Sequence, residues 1–318
     1  MAILGIDIGG TKTIVGVYAD GTLRKKTRVG YDPSRPPLDY LNAILDAARR
    51  VLAEAGIPVP KTVGIGCGGP LDRRNGCVVA APNLPGWDNL PLTAIFAKEF
   101  NAPAYLDNDA TAAALGELTF GAGRGIENFV YFTVSTGIGG GIVIGGTIYR
   151  GSGDNAAEFG HHKIEIDGPP CTCGDRGCLE SLASGKSIAR RAREAVLELS
   201  SDNRPSWADD LDGVTAELIA KEAARGEPLA SRVWRESMTY LGIGVSNVIS
   251  ILNPELVIIG GGVAKAGDLM FEPVRETVCQ RTMRPLADNV RIVPAALGDD
   301  VGVMGAVALA MDEELSAK

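Results

Sequence analysis

The most constraining feature of the sequence is a cluster of three cysteines and one histidine between residues 158 and 180. Cys171, Cys173 and Cys178 fall within eight residues, and His161 lies ten residues before the first of them. Three thiolates and one imidazole form a closed tetrahedral ligand set for a structural Zn²⁺ ion. The alternative is a disulfide with one spare thiol, which the absence of secretory features disfavours. A zinc ion here would fix the directions of the carboxylates at either end of the stretch, Glu158 and Glu180.

Composition places the chain among globular proteins without nucleic-acid or membrane partners. It has 318 residues, 45% of them hydrophobic, and 41 glycines, which suggests about two domains rich in turns. A net charge of −8 argues against a nucleic-acid surface, and no apolar run reaches the roughly 20 residues of a membrane span. The N-terminal stretch MAILGIDIGGTK is typical of a strand and not of a signal peptide. We therefore expect a cytoplasmic protein with reduced thiols, in which Cys67, Cys77 and Cys279 are buried apolar residues.

The pattern of strands, helices and glycine turns occurs twice along the chain. A strand over 2–8, the turn DIGGTK and a strand over 13–19 are matched by a strand over 129–135, the turn GIGGG and a strand over 142–149. Helices are predicted over 38–55, 186–199, 214–224, 228–252, 267–283 and 301–314. Alternating strands and helices in two similar halves predict two α/β domains with a cleft between them. The predicted domains are 1–117 with 300–318, and 118–299.

Three glycine-rich turns are candidates for phosphate binding. The first comprises Asp7, Gly9, Gly10, Thr11 and Lys12; the second comprises Thr136, Gly137, Gly139 and Gly140; the third contains Gly261 and Gly262. Glycines let backbone N–H groups approach phosphate oxygens, threonine adds a donor, and an aspartate at a strand end can reach Mg²⁺. The alternative for the first is an ordinary hairpin, and for the second a turn selected for close packing. Two such turns in matching places of the two halves favour a nucleotide site.

The stretch LDNDA, residues 106–110, carries a candidate general base. Asp109 follows a predicted strand, and a carboxylate there could accept the proton of a hydroxyl that attacks a γ-phosphoryl group. The alternative is that Asn108 or Asp109 only caps the helix that follows. Asn83, in the loop APNLPGW, has the same standing as either a turn residue or a polar ligand.

Together these stretches resemble the ROK family of sugar kinases and repressors, within the larger group that shares the actin, Hsp70 and hexokinase fold, a ribonuclease H-like architecture. The most specific motif is E-F-G-H followed by C-x-C-G-x-x-G-C-L-E, residues 158–161 and 171–180. The resemblance implies that His161 and the three cysteines bind zinc and that Asp109 is the general base. It also implies that the turns DIGGTK and STGIGGG hold the ATP phosphates. The residues implied to surround the sugar are Gly69, Asn83, Asn108, Asp109, Glu158, His161 and Glu180.

The activity implied is an ATP- and Mg²⁺-dependent transfer of the γ-phosphoryl group to the 6-hydroxyl of a hexose. Glucose is the expected substrate, because PPCTCG and ASGKSIARRA look most like the bacterial glucokinases of this family. N-acetylglucosamine, N-acetylmannosamine, mannose or fructose remain alternative substrates, and polyphosphate an alternative donor. Repressors of the family carry an N-terminal helix-turn-helix; here the first strand begins at Ala2, so we expect none. An actin- or Hsp70-like ATPase is disfavoured by the zinc and carboxylate set. The long helix near Tyr240–Leu252 fits a homodimer or dimer of dimers, or a core helix.

Overall fold

The computed structural model describes residues 2–80 and 84–316, which form two compact units. The first comprises Met1–Ile126, Gly141–Ala156 and Ala295–Lys318; the second comprises Glu127–Gly140 and Ala157–Pro294. The strands are β1 Ile3–Ile8, β2 Lys12–Ala19, β3 Thr22–Gly30, β4 Thr62–Cys67, β5 Leu71–Asp72, β6 Cys77–Val78, β7 Ala104–Asn108, β8 Phe129–Val134, β9 Ile138–Ile144, β10 Thr147–Ile148, β11 Leu256–Gly260 and β12 Arg291–Pro294. The helices are α1 Pro37–Glu54, α2 Leu92–Phe100, α3 Asp109–Phe120, α4 Leu179–Ala183, α5 Gly185–Leu197, α6 Ala216–Ala224, α7 Pro228–Leu252, α8 Asp268–Arg281, α9 Arg284–Ala287 and α10 Val301–Ser316.

The first unit is built on a sheet in the order β3-β2-β1-β4-β7. β1 pairs antiparallel with β2 and parallel with β4, which pairs parallel with β7. The turn between β2 and β3 uses Asp20 at φ 51° and Gly21 at φ 82°, the two left-handed positions that a tight hairpin needs. An Asp-Gly pair between two strands favours this kind of turn.

Helix α1 shows why this sequence forms its first helix. Pro37 occupies the first turn, where its missing N–H costs nothing, and the chain turns out of the helix at Gly56, φ 69°. Its buried apolar residues recur every three or four positions and belong to the core of the first unit: Tyr40, Leu41, Ile44, Leu45, Ala48, Val51 and Leu52. Leu38, in the first turn, is exposed. The periodicity of the sequence is thus the periodicity of burial.

Helix α10 packs closely across the first sheet, as expected for the last helix. A Cβ placed on Gly64 would lie 1.8 Å from the carbonyl oxygen of Ala306, and one on Gly5 would lie 2.7 Å from that of Val303. Only glycine allows a helix backbone to approach strands this closely. The carboxylate of Glu117 joins α3 to the same region, accepting N–H bonds from Ala296 at 3.2 Å and Leu297 at 2.9 Å.

The second sheet has the order β10-β9-β8-β11-β12, so both sheets place their strands in the chain order 3-2-1-4-5. β11 pairs parallel with both β8 and β12. Helix α7 buries one face in the second unit, including Trp234 and Leu241, which fits a core helix. The repeated topology confirms the predicted pair of similar α/β halves. The predicted domain ranges stay a prediction.

Of the three isolated cysteines predicted to be buried, only Cys67 is buried. Cys279 is exposed, not buried, because it lies five positions after the buried Val274 on α8, about 140° around the helix. Cys77 is half-exposed, whereas Cys67 is buried as expected.

Among residues 2–80 and 84–316, no helix combines the length and the apolarity that a membrane crossing requires.

Candidate active site

In the first unit, the carboxyl ends of three parallel strands meet. Ile8, Cys67 and Asn108 lie side by side in register at the ends of β1, β4 and β7. Loops that follow the carboxyl ends of parallel strands are where α/β folds place their ligands. Residues 9–12 and Gly69 follow the ends of β1 and β4, Asp7 is the last but one residue of β1, and Asn108 and Asp109 stand at the end of β7.

Asn108 and Asp109 divide the two roles that the sequence left open. Asn108 caps α3, since its Oδ1 accepts N–H bonds from Ala110 at 2.9 Å and Thr111 at 3.3 Å. Its Nδ2 lies 3.8 Å from the place where a Cβ on Gly69 would be, so these two predicted sugar ligands are neighbours. Asp109 accepts the N–H of Ala110 at 2.8 Å and keeps a partly exposed surface. With the cap supplied by Asn108, Asp109 is available for chemistry.

Burial raises the pKa of Asp109, against the opposing effect of the backbone N–H donors. Burial, followed by the charge of Asp109, raises the pKa of Asp7 to about 7, while Lys12 acts in the opposite direction. A divalent cation bound here would offset both the burial of the two carboxylates and the repulsion that Asp109 exerts on Asp7. Of the DIGGTK residues, Gly9 closes the turn by donating to the carbonyl of Lys12 at 3.0 Å. Gly10 and Thr11 retain exposed surface.

In the second unit, the four predicted zinc ligands come together. Their ligand atoms all lie within 4.8 Å of one another. The Sγ atoms of Cys173 and Cys178 are 3.6 Å apart, and the Sγ of Cys171 is 3.5 Å from Nδ1 of His161. Tetrahedral zinc with its usual bond lengths places sulfur atoms about 3.8 Å apart and sulfur and nitrogen about 3.6 Å apart. The residues therefore fit a zinc ion.

The two ring nitrogens of His161 face different groups. Nδ1 faces the sulfur atoms, and Nε2 lies 3.9 Å from a carboxylate oxygen of Glu158. His162, the neighbouring histidine, instead places Nδ1 against the carbonyl of Phe159 at 2.5 Å and is half-buried beside Gly244 of α7. His161, and not His162, thus belongs to the cluster of possible metal ligands.

Glu180 connects the metal cluster to the second glycine turn. Its Oε2 accepts the backbone N–H of Ile138 at 2.8 Å, and a Cβ on Gly137 would lie 2.4 Å from that oxygen. Its Oε1 is 3.4 Å from the hydroxyl of Thr172. Gly185 adds a second tie by donating to the carbonyl of Ser135 at 2.8 Å. One carboxylate oxygen thus orders the turn, and the other faces Thr172.

Two of the remaining predicted glycines, Gly140 and Gly261, lie where a ring or the backbone comes too close for a side chain. Gly140 lies against the ring of Phe159, and Gly261, at φ 91°, lies against the carbonyl of Val134 at the end of β8. Gly262 is close to the hydroxyl of Ser135, its Cβ position 3.8 Å away. Gly139 and Thr136 retain exposed surface. The second and third glycine turns therefore adjoin each other beside Ser135. Asn83 lies outside the described residues.

Two features of the first unit were not foreseen from the sequence. Gly302, at the start of α10, faces Asp7 so closely that a Cβ would lie 2.1 Å from its Oδ2. Asp107, buried one residue before Asn108, pairs with Arg150. The sequence signal for the contact of Gly302 with Asp7 was a glycine in the first turn of the helix VGVMGAVALA. Asp107 and Arg150 are too far apart in the sequence for any local pattern to indicate their ion pair.

Comparison with known proteins agrees with this arrangement. The model of the ROK family matches residues 3–313. The chain is similar to the glucokinase of Thermotoga maritima, with 37% identity over 97% of both chains. It is also similar to a ROK family glucokinase from Streptomyces griseus solved with glucose and AMPPNP, with 33% identity, a TM-score of 0.82, and coverage of 98% of this chain and 100% of that one.

A repressor is among the relatives as well. The xylose repressor of Caldicellulosiruptor bescii is 36% identical over 80% of this chain, and the match spans 63% of that protein. The paired sheets and these similarities confirm the predicted two-domain α/β fold of the actin/hexokinase type. This chain is a member of the ROK family.

Proposed function

We propose that this protein is an ATP- and Mg²⁺-dependent hexose kinase that transfers the γ-phosphoryl group to the 6-hydroxyl of glucose. The observation that carries the proposal is Asp109, whose carboxylate has a pKa raised by burial and lies beside Asp7 at the ends of parallel strands. Glucokinase relatives at this level of identity support the choice of glucose and ATP.

In this proposal Asp109 accepts the proton of the attacking hydroxyl. A base whose pKa is raised towards the working pH takes up that proton more readily than an ordinary carboxylate. Asn108, through its amide nitrogen, and Gly69 would contact the sugar, as would Glu158, His161 and Glu180; the same role is proposed for Asn83. Because sugar hydroxyls both donate and accept, carboxylates beside an imidazole suit them.

The phosphates of ATP would be held by backbone N–H groups of the two glycine turns, with Thr11, Lys12 and Thr136 as further donors. Gly261 and Gly262 would leave room for the nucleoside. Mg²⁺ would be held by Asp7 and would neutralise developing phosphate charge. Zn²⁺, bound by His161 and the three cysteines, would brace the segment that carries Glu158 and Glu180. The cytoplasmic location and the homodimer or dimer of dimers stay predictions.

The test is purified protein with Mg-ATP and a hexose panel, with ADP release and sugar phosphate both measured. We expect glucose to be the preferred acceptor and 6-phosphate the product. No ADP release against any hexose contradicts the proposal, and a polyphosphate arm identifies the donor. ATP hydrolysis that is indifferent to sugar would instead favour an actin- or Hsp70-like ATPase.

A sugar-responsive repressor is the second candidate, favoured by one observation, the similarity to xylose repressors. A gel-shift assay with genomic fragments separates the two. Specific DNA binding that sugar abolishes, without phosphoryl transfer, would establish the repressor.

A further inference from the structure

A buried network of ion pairs surrounds Asp107, two residues before the proposed general base Asp109. The side chain of Asp107 is 3% exposed, and its Oδ2 accepts from Nε of Arg150 at 2.8 Å. Nε of Arg73 lies 3.5 Å from the same oxygen, and the guanidinium of Arg73 also pairs with Glu313 of α10. Both arginines are largely buried, with side chains 22% and 16% exposed for Arg73 and Arg150. Such pairs are far more sensitive to loss of a partner than surface ion pairs.

The network joins three segments, each of which precedes or follows a proposed sugar ligand along the chain. Arg73 belongs to the β5–β6 hairpin that follows Gly69, and Val79 closes this hairpin by donating to the carbonyl of Pro70 at 3.1 Å. Asp107 precedes Asn108 and accepts its N–H through Oδ1 at 2.9 Å. The carbonyl of Arg150 accepts the N–H of Ala156 at 3.0 Å, which closes the loop that leads to Glu158.

One carboxylate therefore fixes both the backbone of Asn108 and the guanidinium of Arg150, using a different oxygen for each. Asn108 in turn caps α3 through its own Oδ1, which sets where Asp109 begins the helix. Within the described residues, Nε of Arg73 and Nη2 of Arg150 are buried without a hydrogen-bond partner, and Nη2 lies 4.0 Å from Asp312. Arg150 is thus bonded to Asp107 through Nε, whereas Arg73 is shared between Asp107 and Glu313.

We propose that Arg150 and Arg73, acting through Asp107, are positioning residues for the sugar ligands and the general base of the first unit. This inference rests on the proposed kinase function. Without Arg150, the buried carboxylate of Asp107 loses its closest cation and must turn towards water, taking the Asn108 backbone with it. Displacement of reacting groups by about 1 Å can lower turnover on the order of 10²-fold.

The test compares steady-state kinetics of four proteins: wild type, Arg150→Met, the double variant Asp107→Asn/Arg150→Met, and Arg74→Met. In Arg150→Met we expect kcat/KM for the hexose to fall about 10²-fold, with both kcat and the hexose KM affected and the KM for ATP unchanged. The double variant should recover part of the loss, because asparagine leaves no unpaired buried charge. Arg74→Met is the matched control: it is the neighbouring arginine of the same hairpin, pairs with Asp154 at 3.3 Å and is 76% exposed. It should behave as wild type.

The hexose KM separates positioning from a merely structural role. A variant that only unfolds in part lowers kcat through a smaller active fraction and leaves both KM values unchanged, and that result overturns the inference. So does an Arg150→Met protein with wild-type kinetics. If Arg150→Met does not accumulate as folded protein, Arg150→Lys, which keeps the charge and loses the planar donor, is measured with the same expectation for the hexose KM. Wild-type protein that phosphorylates no hexose overturns the proposed function, and this inference with it; an active wild type with unaffected variants overturns the inference alone.

Discussion

Replacement of Asp7 by asparagine should stabilise the protein while destroying its activity. Burial and the nearby Asp109 raise the pKa of Asp7 from its ordinary 3.8 to about 7. A carboxyl group whose pKa is higher in the folded state binds more protons there than in the unfolded chain, so it makes stability fall as the pH rises. This loss begins near pH 3.8 and is complete above pH 7.

The size of the effect follows from the two pKa values. At about 1.4 kcal/mol per pKa unit, the ionised Asp7 lowers the free energy of unfolding by about 4 kcal/mol at pH 8 and by about 2 kcal/mol at pH 5. Asparagine has the shape of the protonated acid and does not titrate. Asp7→Asn should therefore exceed wild type by about 4 kcal/mol at pH 8 and by about half of that at pH 5.

The assay is thermal unfolding without nucleotide or Mg²⁺ at the two pH values. For a unit of this size, 4 kcal/mol corresponds to a rise in Tm of about 8–16 °C. Since other groups titrate in the same range, the informative quantity is the difference between variant and wild type. Asp88→Asn, which replaces an exposed carboxylate of the same unit, is the control, and its gain at pH 8 should be much the smaller of the two. An equal gain at both pH values, or no gain, refutes the assigned burial penalty.

Three further changes test other parts of the structure. Asp109→Asn should lower kcat by about 10²–10⁴-fold while hexose binding by calorimetry is retained; unchanged turnover would place the base elsewhere. Cys173→Ser should lose zinc in metal analysis after gel filtration, whereas a full equivalent of zinc retained by the variant, or none in active wild type, contradicts the metal site. Gly305→Ala would set a Cβ 2.3 Å from the carbonyl oxygen of Ala112, so overpacking should lower stability by about 1–3 kcal/mol in urea unfolding. Gly30→Ala, where a Cβ meets nothing within 4 Å, should not; equal losses in both would refute the steric argument.

Features encoded by short spacings could be predicted from the sequence. The turn at Asp20-Gly21 and helix α7, Pro228–Leu252, follow from local turn chemistry and hydrophobic periodicity, and the cysteine spacing gave the cluster with His161. The division of roles between Asn108 and Asp109 could not be predicted, because both residues can cap a helix and only the direction of each side chain separates them.

Contacts between distant segments escaped prediction for a different reason. Asp107 meets Arg150 and Arg73 only because the sheet register and two loops bring three segments together. Gly302 reaches Asp7 from the far end of the chain, and no local pattern reports that approach. The return of Gly141–Ala156 to the first unit likewise depends on packing that a linear pattern does not contain.

The bonds from Glu117 to Ala296 and Leu297 have a consequence for synthesis of the protein. Glu117 and Leu297 are 180 positions apart. At a synthesis rate of roughly 5–20 residues per second, Leu297 is added roughly 10–40 s after Glu117. During that interval the nascent first unit lacks α10, and the apolar surfaces around Ile3 and Tyr18 that α10 covers are open to water. The second unit is complete before the first on the ribosome, although its sequence starts later.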